Sequence, residues 1–241
     1  MENKFIMQKK RKNISNILPL RYSLNNPHWK GTMRPHFPLF KNVLKLSNIQ
    51  YDMNKLTNEL NIINNLNWNN KAKDWHAITL KGYMGNDQPH LKDTELGVGN
   101  NNKYKYLDIM NRCSYIKEVL EGLNTEIYLV RLLKLDPEGL VKYHNDEQVF
   151  RRYKDIIRCH IPLKTNSKSF FKIGYPIQAP ADGYNIWKAN DLIIKHLEEG
   201  YIFYTNVNTL HSVVNKGTSD RIHLVIDLRP TAEMVHKIYF E

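Results

Sequence analysis

His144-Asn145-Asp146 sets an imidazole and a carboxylate two positions apart. On an extended chain, residues two apart point to the same side, so both groups can reach one ion. Alone the triplet is weak, because surface loops produce His-x-Asp by chance. His211, in Leu210-His211-Ser212-Val213-Val214-Asn215, is free to supply a third donor. Two histidines and one carboxylate on one face of a cup form the facial triad of non-haem Fe(II) oxygenases, with positions left open for a chelating cosubstrate and dioxygen.

Two further stretches add cations on strand spacing. Arg221-Ile222-His223-Leu224-Val225-Ile226-Asp227 alternates perfectly, with Ile222, Leu224 and Ile226 on one face and Arg221 and His223 on the other. Ile156-Ile157-Arg158-Cys159-His160-Ile161-Pro162-Leu163 repeats the pattern, with Arg158 and His160 opposite Ile157, Cys159 and Ile161. A half-solvated sheet with its polar face in water explains either strand alone. Both together, beside His144, Asp146 and His211, supply ligands and positive charge for a metal plus a dianion in one cavity. Asn215 to Asp220 reads as a turn, which predicts a hairpin of 211–215 with 221–225. With Asn215 opposite Arg221, His211 faces Val225 and shares a side with Arg221, whose guanidinium can then clamp the far carboxylate of a metal-bound dicarboxylate.

The elements that must position these groups are legible in outline. Met53, Leu56, Leu60, Ile63 and Leu66 recur at helical spacing behind an Asp52 cap,. Leu107, Met110, Ile116, Val119, Leu120 and Leu123 predict a second helix, closed near Gly122 and Asn124. Both apolar stripes read as core faces of covering helices. From Glu126 onward, short alternating runs are separated by Asp-Pro-Glu-Gly, Thr-Asn-Ser and Asn-Lys-Gly-Thr-Ser-Asp. That spacing predicts antiparallel strands of a sandwich or barrel. The division expected is a basic arm over residues 1–45 and one domain over 46–241, helical in 46–125, β in 126–230, with a terminal helix over 231–241.

Composition bounds the reading. The chain has 241 residues, 41% hydrophobic and 24% charged, which excludes collagen-like, disulfide-rich and largely disordered classes,. Cys113 and Cys159 are too few for a disulfide framework or a zinc ribbon,. No stretch approaches a membrane span and the first residues lack a signal-peptide core, so a cytoplasmic protein is expected. The net charge of +11 suggests a polyanionic partner,. Yet residues 1–45 hold ten basic residues against one acid, and the rest is nearly neutral. The arm is therefore the place for a nucleic-acid or ribosome contact, although a solvated terminus is the commoner outcome.

Tyr143-His144-Asn145-Asp146, Arg158-Cys159-His160-Ile161-Pro162-Leu163, His211-Ser212-Val213-Val214-Asn215-Lys216-Gly217 and Arg221-Ile222-His223-Leu224-Val225-Ile226-Asp227 together resemble the aspartyl/asparaginyl β-hydroxylase family, which includes bacterial hydroxylases of free proline. The interval of ten between His211 and Arg221 is the most specific part. The resemblance covers about residues 126 to 230, and Trp75-His76-Ala77-Ile78-Thr79-Leu80 resembles an entry strand of the bacterial members. Asp146 follows the bacterial pattern, since the vertebrate member lacks that carboxylate.

The resemblance implies a mainly β fold with covering helices, a double-stranded β-helix or cupin-like jelly roll, using Fe(II), 2-oxoglutarate and O2. It makes His144, Asp146 and His211 the metal ligands and pairs Arg221 with the distal carboxylate of 2-oxoglutarate. Arg158 and His160 fall near the metal-chelating end. The implied activity hydroxylates an unactivated carbon of a proline-like or Asp/Asn-like amino acid or residue, releasing succinate and CO2. Trp75, Lys81, Arg131 and His223 are the candidates for contacting a free amino acid or short peptide. The stretch from Leu163 to His211 is longer than the family pattern, which leaves it open to form a lid or a binding surface. One rival reading is a non-catalytic jelly-roll module with an RNA- or protein-binding arm. Another is a zinc or manganese cupin isomerase, which has no need of Arg221.

Overall fold

Strands that alternate between two apolar faces need cover on both sides, and amphipathic helices need it on one, so the elements stack in layers. The computed structural model of the chain describes residues 42–64, 68–72, 74–87, 100–146, 156–178 and 188–240, and all of them belong to one compact unit spanning 38–241. Nearly all of the basic arm, and the Pro180-Ala181-Asp182-Gly183 segment, lie outside the described residues.

The strands, in chain order, are β1 (Val43–Lys45), β2 (Asn69–Ala72), β3 (Trp75–Tyr83), β4 (Tyr104–Tyr106), β5 (Ile127–Leu135) and β6 (Leu140–His144). They continue with β7 (Ile157–Lys164), β8 (Ser169–Gln178), β9 (Lys188–Lys195), β10 (Phe203–Thr205), β11 (His211–Asn215) and β12 (Arg221–Leu228). An 8-stranded sheet has the order β1-β10-β7-β12-β5-β3-β2, with β4 also on β3, and a 4-stranded sheet has the order β6-β11-β8-β9. Every pairing is antiparallel. Two antiparallel sheets face to face, exchanging strands at their corners, make the jelly roll expected.

The helices α1 (Met53–Asn64), α2 (Ser114–Gly122) and α3 (Ala232–Phe240) contribute Leu56, Leu60, Ile63, Ile116, Val119, Leu120 and Ile238 to a core with the larger sheet. Ile222, Leu224, Ile226, Cys159 and Ile161 face them there. A second cluster, with Leu129, Leu135, Phe171, Ile173 and Val213, fills the space between the sheets. β12 is therefore buried on both faces along its whole length, and Arg221 and His223 do not face water.

Asp52 caps α1 as expected, its Oδ1 accepting from the N–H groups of Asn54 (3.0 Å) and Lys55 (3.2 Å),. The expected second helix is split into a 3-10 turn over Asp108–Arg112 followed by α2. The break falls where the Glu59 carboxylate, carried by α1, accepts the backbone N–H groups of Tyr115 and Ile116, both at 2.7 Å. A cap supplied by another helix leaves no local sequence signal. Asn124 ends the segment in the left-handed region at φ 47,.

The expected hairpin of 211–215 with 221–225 does not form. β11 lies between β6 and β8, with Asn215 opposite Ser169, whereas β12 lies between β5 and β7, with Arg221 opposite Leu135. Residues 216–220 carry the chain from one sheet to the other. The fully buried Asn215 amide donates to Leu135 O (3.2 Å), Asp136 O (3.0 Å) and Ser219 O (2.8 Å), tying this corner to the β5–β6 corner. Its Oδ1 accepts from Gly217 N (3.2 Å) and Asn166 Nδ2 (2.9 Å). In the β5–β6 corner Glu138 sits at φ 58, and a Cβ on Gly139 would come within 2.8 Å of Asp136 O, so the tight turn requires glycine there,.

Candidate metal and dianion site

His144 is the last residue of β6 and His211 the first of β11, and the two are directly opposite in the antiparallel register. Cross-strand partners share a face, and the rings lie with centroids 4.2 Å apart. Asp146 follows β6 by two residues, its N–H bonded to Val207 O at 2.9 Å. One donor atom from each of His144, Asp146 and His211 lies within 4.8 Å of the others. Nδ1 of His144 bonds Lys142 O at 2.8 Å and Nδ1 of His211 bonds Thr209 O at 3.0 Å. With Nδ1–H donated to a carbonyl, Nε2 keeps its lone pair for a cation.

Electrostatics suit these groups to that role. Burial acts to raise the Asp146 carboxyl, but Arg158, the two imidazoles and Arg131 hold it down at about 2. Burial and the neighbouring His144 push His211 down to about 4. At neutral pH the cluster is thus an anion beside a neutral imidazole, the protonation state a divalent cation needs. Phe171 from β8 stacks on the His211 ring, centroids 5.5 Å apart and planes 13° apart, which fixes its orientation.

Arg221, His160, Arg158, Arg131 and Trp75 line the same cavity as the three candidate ligands. Arg221 reaches it from the opposite sheet, so the expected proximity holds although the expected hairpin does not. Its Nη2 is 3.0 Å from His223 Nδ1, and burial lowers its pKa to about 9. Among the described residues, both ring nitrogens of His160 and Nε2 of His223 are buried with no hydrogen-bond partner. Burial, with Arg221 next, pushes both histidines well below their ordinary value. Buried polar groups are normally satisfied. A desolvated guanidinium that meets no carboxylate among the described residues, beside imidazoles with unfilled nitrogens, fits a bound dicarboxylate, and the His-Asp-His donor set fits Fe(II),.

Other expected contacts are placed differently. Arg158 is engaged: Nε and Nη2 donate to the two oxygens of Asp227 at 2.7 and 3.0 Å, and Nη1 donates to Asp146 Oδ2. Arg131 lines the cavity, but its Nη2 donates to Asp227 Oδ2 at 3.3 Å. Trp75 is level with Leu135 and Arg221 across the larger sheet and lines the cavity. Lys81 donates to Ile127 O at 2.8 Å and sits 5.0 Å over the Tyr106 ring, and it does not line the cavity. His223 backs Arg221. Asp227 is the polar residue that sequence reasoning passed over. Its signal was present, since it lies on the Arg221 and His223 face by simple alternation.

A family model described as aspartyl/asparaginyl beta-hydroxylase matches residues 44–230. No curated protein matches. Among solved structures, the chain is similar to an oxidoreductase of the 2OG-Fe(II) oxygenase family from Burkholderia pseudomallei at 15% identity, covering 74% of this chain and 79% of that one, TM-score 0.43. It is similar to HygX from Streptomyces hygroscopicus, solved with nickel and 2-oxoglutarate, at 11% identity, 79% and 82% coverage and TM-score 0.43. A third likeness is to SnoK, a non-haem α-ketoglutarate-dependent carbocyclase of nogalamycin biosynthesis, at 10% identity, 78% and 79% coverage and TM-score 0.45. The family match, not these distant likenesses, carries the assignment.

Proposed function

Because this chain belongs to the aspartyl/asparaginyl β-hydroxylase family, an enzyme family using Fe(II), 2-oxoglutarate and O2, we propose that it hydroxylates an unactivated carbon of an amino acid, free or within a short peptide. The observation that carries the site is the convergence of His144, Asp146 and His211 within 4.8 Å in the cavity that also receives Arg221. His144, Asp146 and His211 would hold the iron, and Arg221, with His160 and His223 near it, the cosubstrate. When bound, the iron and 2-oxoglutarate supply oxidative decarboxylation to succinate and CO2, coupled to insertion of one oxygen atom of O2 into a C–H bond.

The chain's own residues do the rest. Nδ1–H bonds to backbone carbonyls aim both imidazoles, and Arg158 fixes the carboxylate between them. Arg221 anchors the far end of the dianion in a site where burial strengthens the charge–charge attraction. Phe171, Leu133, Val141 and Val213 give the cavity apolar walls that limit water,. Oxygen and 2-oxoglutarate consumption across a panel of amino acids and peptides tests the proposal. A substrate-dependent rise above the uncoupled rate, abolished in His144→Ala, is expected. Turnover that survives His144→Ala would refute the site.

A further inference from the structure

Asp227 is fully buried on β12, its Cα partners being Arg158 on β7 and Leu129 on β5. Two of the three Arg158 nitrogens lie edge-on against its carboxylate, Nε at 2.7 Å from Oδ1 and Nη2 at 3.0 Å from Oδ2, and Oδ2 also accepts Arg131 Nη2 at 3.3 Å. This bidentate clasp fixes the guanidinium plane and leaves Nη1 to donate to Asp146 Oδ2. The other oxygen of Asp146, Oδ1, lies 3.6 Å from His144 Nε2, on the side of the metal cluster.

A carboxylate wholly removed from water between two cations is costly to build, and nothing in the proposed reaction touches it. Its place is that of an outer partner that aims a metal ligand, the kind of group whose loss weakens metal binding without removing a donor. The geometry points to Asp227 as a positioning residue of the metal centre. By holding Arg158 edge-on it keeps Asp146 Oδ2 occupied and leaves Oδ1 for the cation, so that divalent-ion affinity depends on a carboxylate that is not itself a ligand. The inference rests on the reading of His144, Asp146 and His211 as ligands.

The test is anaerobic titration of the full chain with Co(II), read by visible absorption and calorimetry, with the thermal midpoint recorded for each variant. Asp227→Asn is expected to weaken Co(II) binding roughly 10–100-fold and to alter the absorption band. Asp227→Asn removes the buried negative charge that two guanidiniums share and can fail to fold, so Asp227→Asn/Arg131→Met, which keeps the buried charge balanced, is measured beside it and is expected to show the same weakening. Arg158→Met should weaken binding comparably, and adding Asp227→Asn to it should cost nothing more, because Asp227 acts through Arg158. Wild-type Co(II) affinity in Asp227→Asn/Arg131→Met, or full additivity with Arg158→Met, overturns the inference; a lowered midpoint with unchanged affinity would mark Asp227 as structural only. Loss of Co(II) binding in His144→Ala separates the two claims. If His144→Ala binds like the wild type, the metal-centre reading falls and takes this inference with it.

Discussion

Arg221 is the residue whose assignment is most exposed to test. It is 5% exposed, burial holds its pKa near 9, and its hydrogen-bonded neighbour is an imidazole and not a carboxylate. A hydrogen bond to a charged group is worth about 1.5–3 kcal/mol, so Arg221→Ala should raise the apparent KM for 2-oxoglutarate at least roughly 10-fold. The measurement is the 2-oxoglutarate dependence of succinate release at saturating substrate; an unchanged dependence would remove Arg221 from the site. At this scale the sequence was informative where function rests on local spacing. His144 with Asp146, and Arg221 with His223, are two residues apart and so share a face. It was less informative where a role depends on a partner far along the chain. Arg158 looked like a cosubstrate contact, and only the fold shows it clasped by Asp227, 69 positions away.

Among the elements, the two corners linking the sheets decide whether the site assembles. Asn215 holds them together through Leu135 O, Asp136 O and Ser219 O. Asn215→Ala would remove that donor from the buried Leu135 carbonyl and from the half-buried Asp136 and Ser219 carbonyls, and a buried group left unsatisfied costs about 1–3 kcal/mol,. A loss of at least 2 kcal/mol in urea unfolding is therefore expected, with Asn215→Asp, which removes the NH2 donor, no better tolerated. A change below about 0.5 kcal/mol would show that the corner does not depend on the amide. The same residue explains why the hairpin expectation failed. Turn chemistry around Asn215 to Asp220 is visible in the sequence, but a turn within a sheet and a corner between sheets use the same residue types. What separates them is the cover available to both faces of β12. A similar case is Glu59, whose carboxylate caps α2 from α1; Glu59→Gln should cost about 1 kcal/mol by thermal or urea unfolding.

Among the described residues, three buried guanidiniums, those of Arg131, Arg158 and Arg221, line one cavity between the sheets and meet two carboxylates, Asp146 at the cavity and Asp227 behind it. The net charge that drew attention in the sequence thus has a second part. Most of it belongs to residues 1–45, but a small uncompensated share is internal, and only the fold could show that. Without ligand, Arg221 bears a desolvation cost that the far carboxylate of a metal-bound dianion would offset locally, and ligation should stabilise the entire fold,. At ligand concentrations near 100 times Kd the gain is about 2.7 kcal/mol. For a domain of this size that is a rise of roughly 5–10 °C in the thermal midpoint. Anaerobic thermal unfolding with Co(II), then with Co(II) and 2-oxoglutarate, should show two separate increments. Arg221→Ala should keep the first and lose most of the second, and His144→Ala should lose the first. An equal rise with acetate in place of 2-oxoglutarate would mean that general anion binding, and not recognition of a dicarboxylate at both its ends, relieves the buried charge.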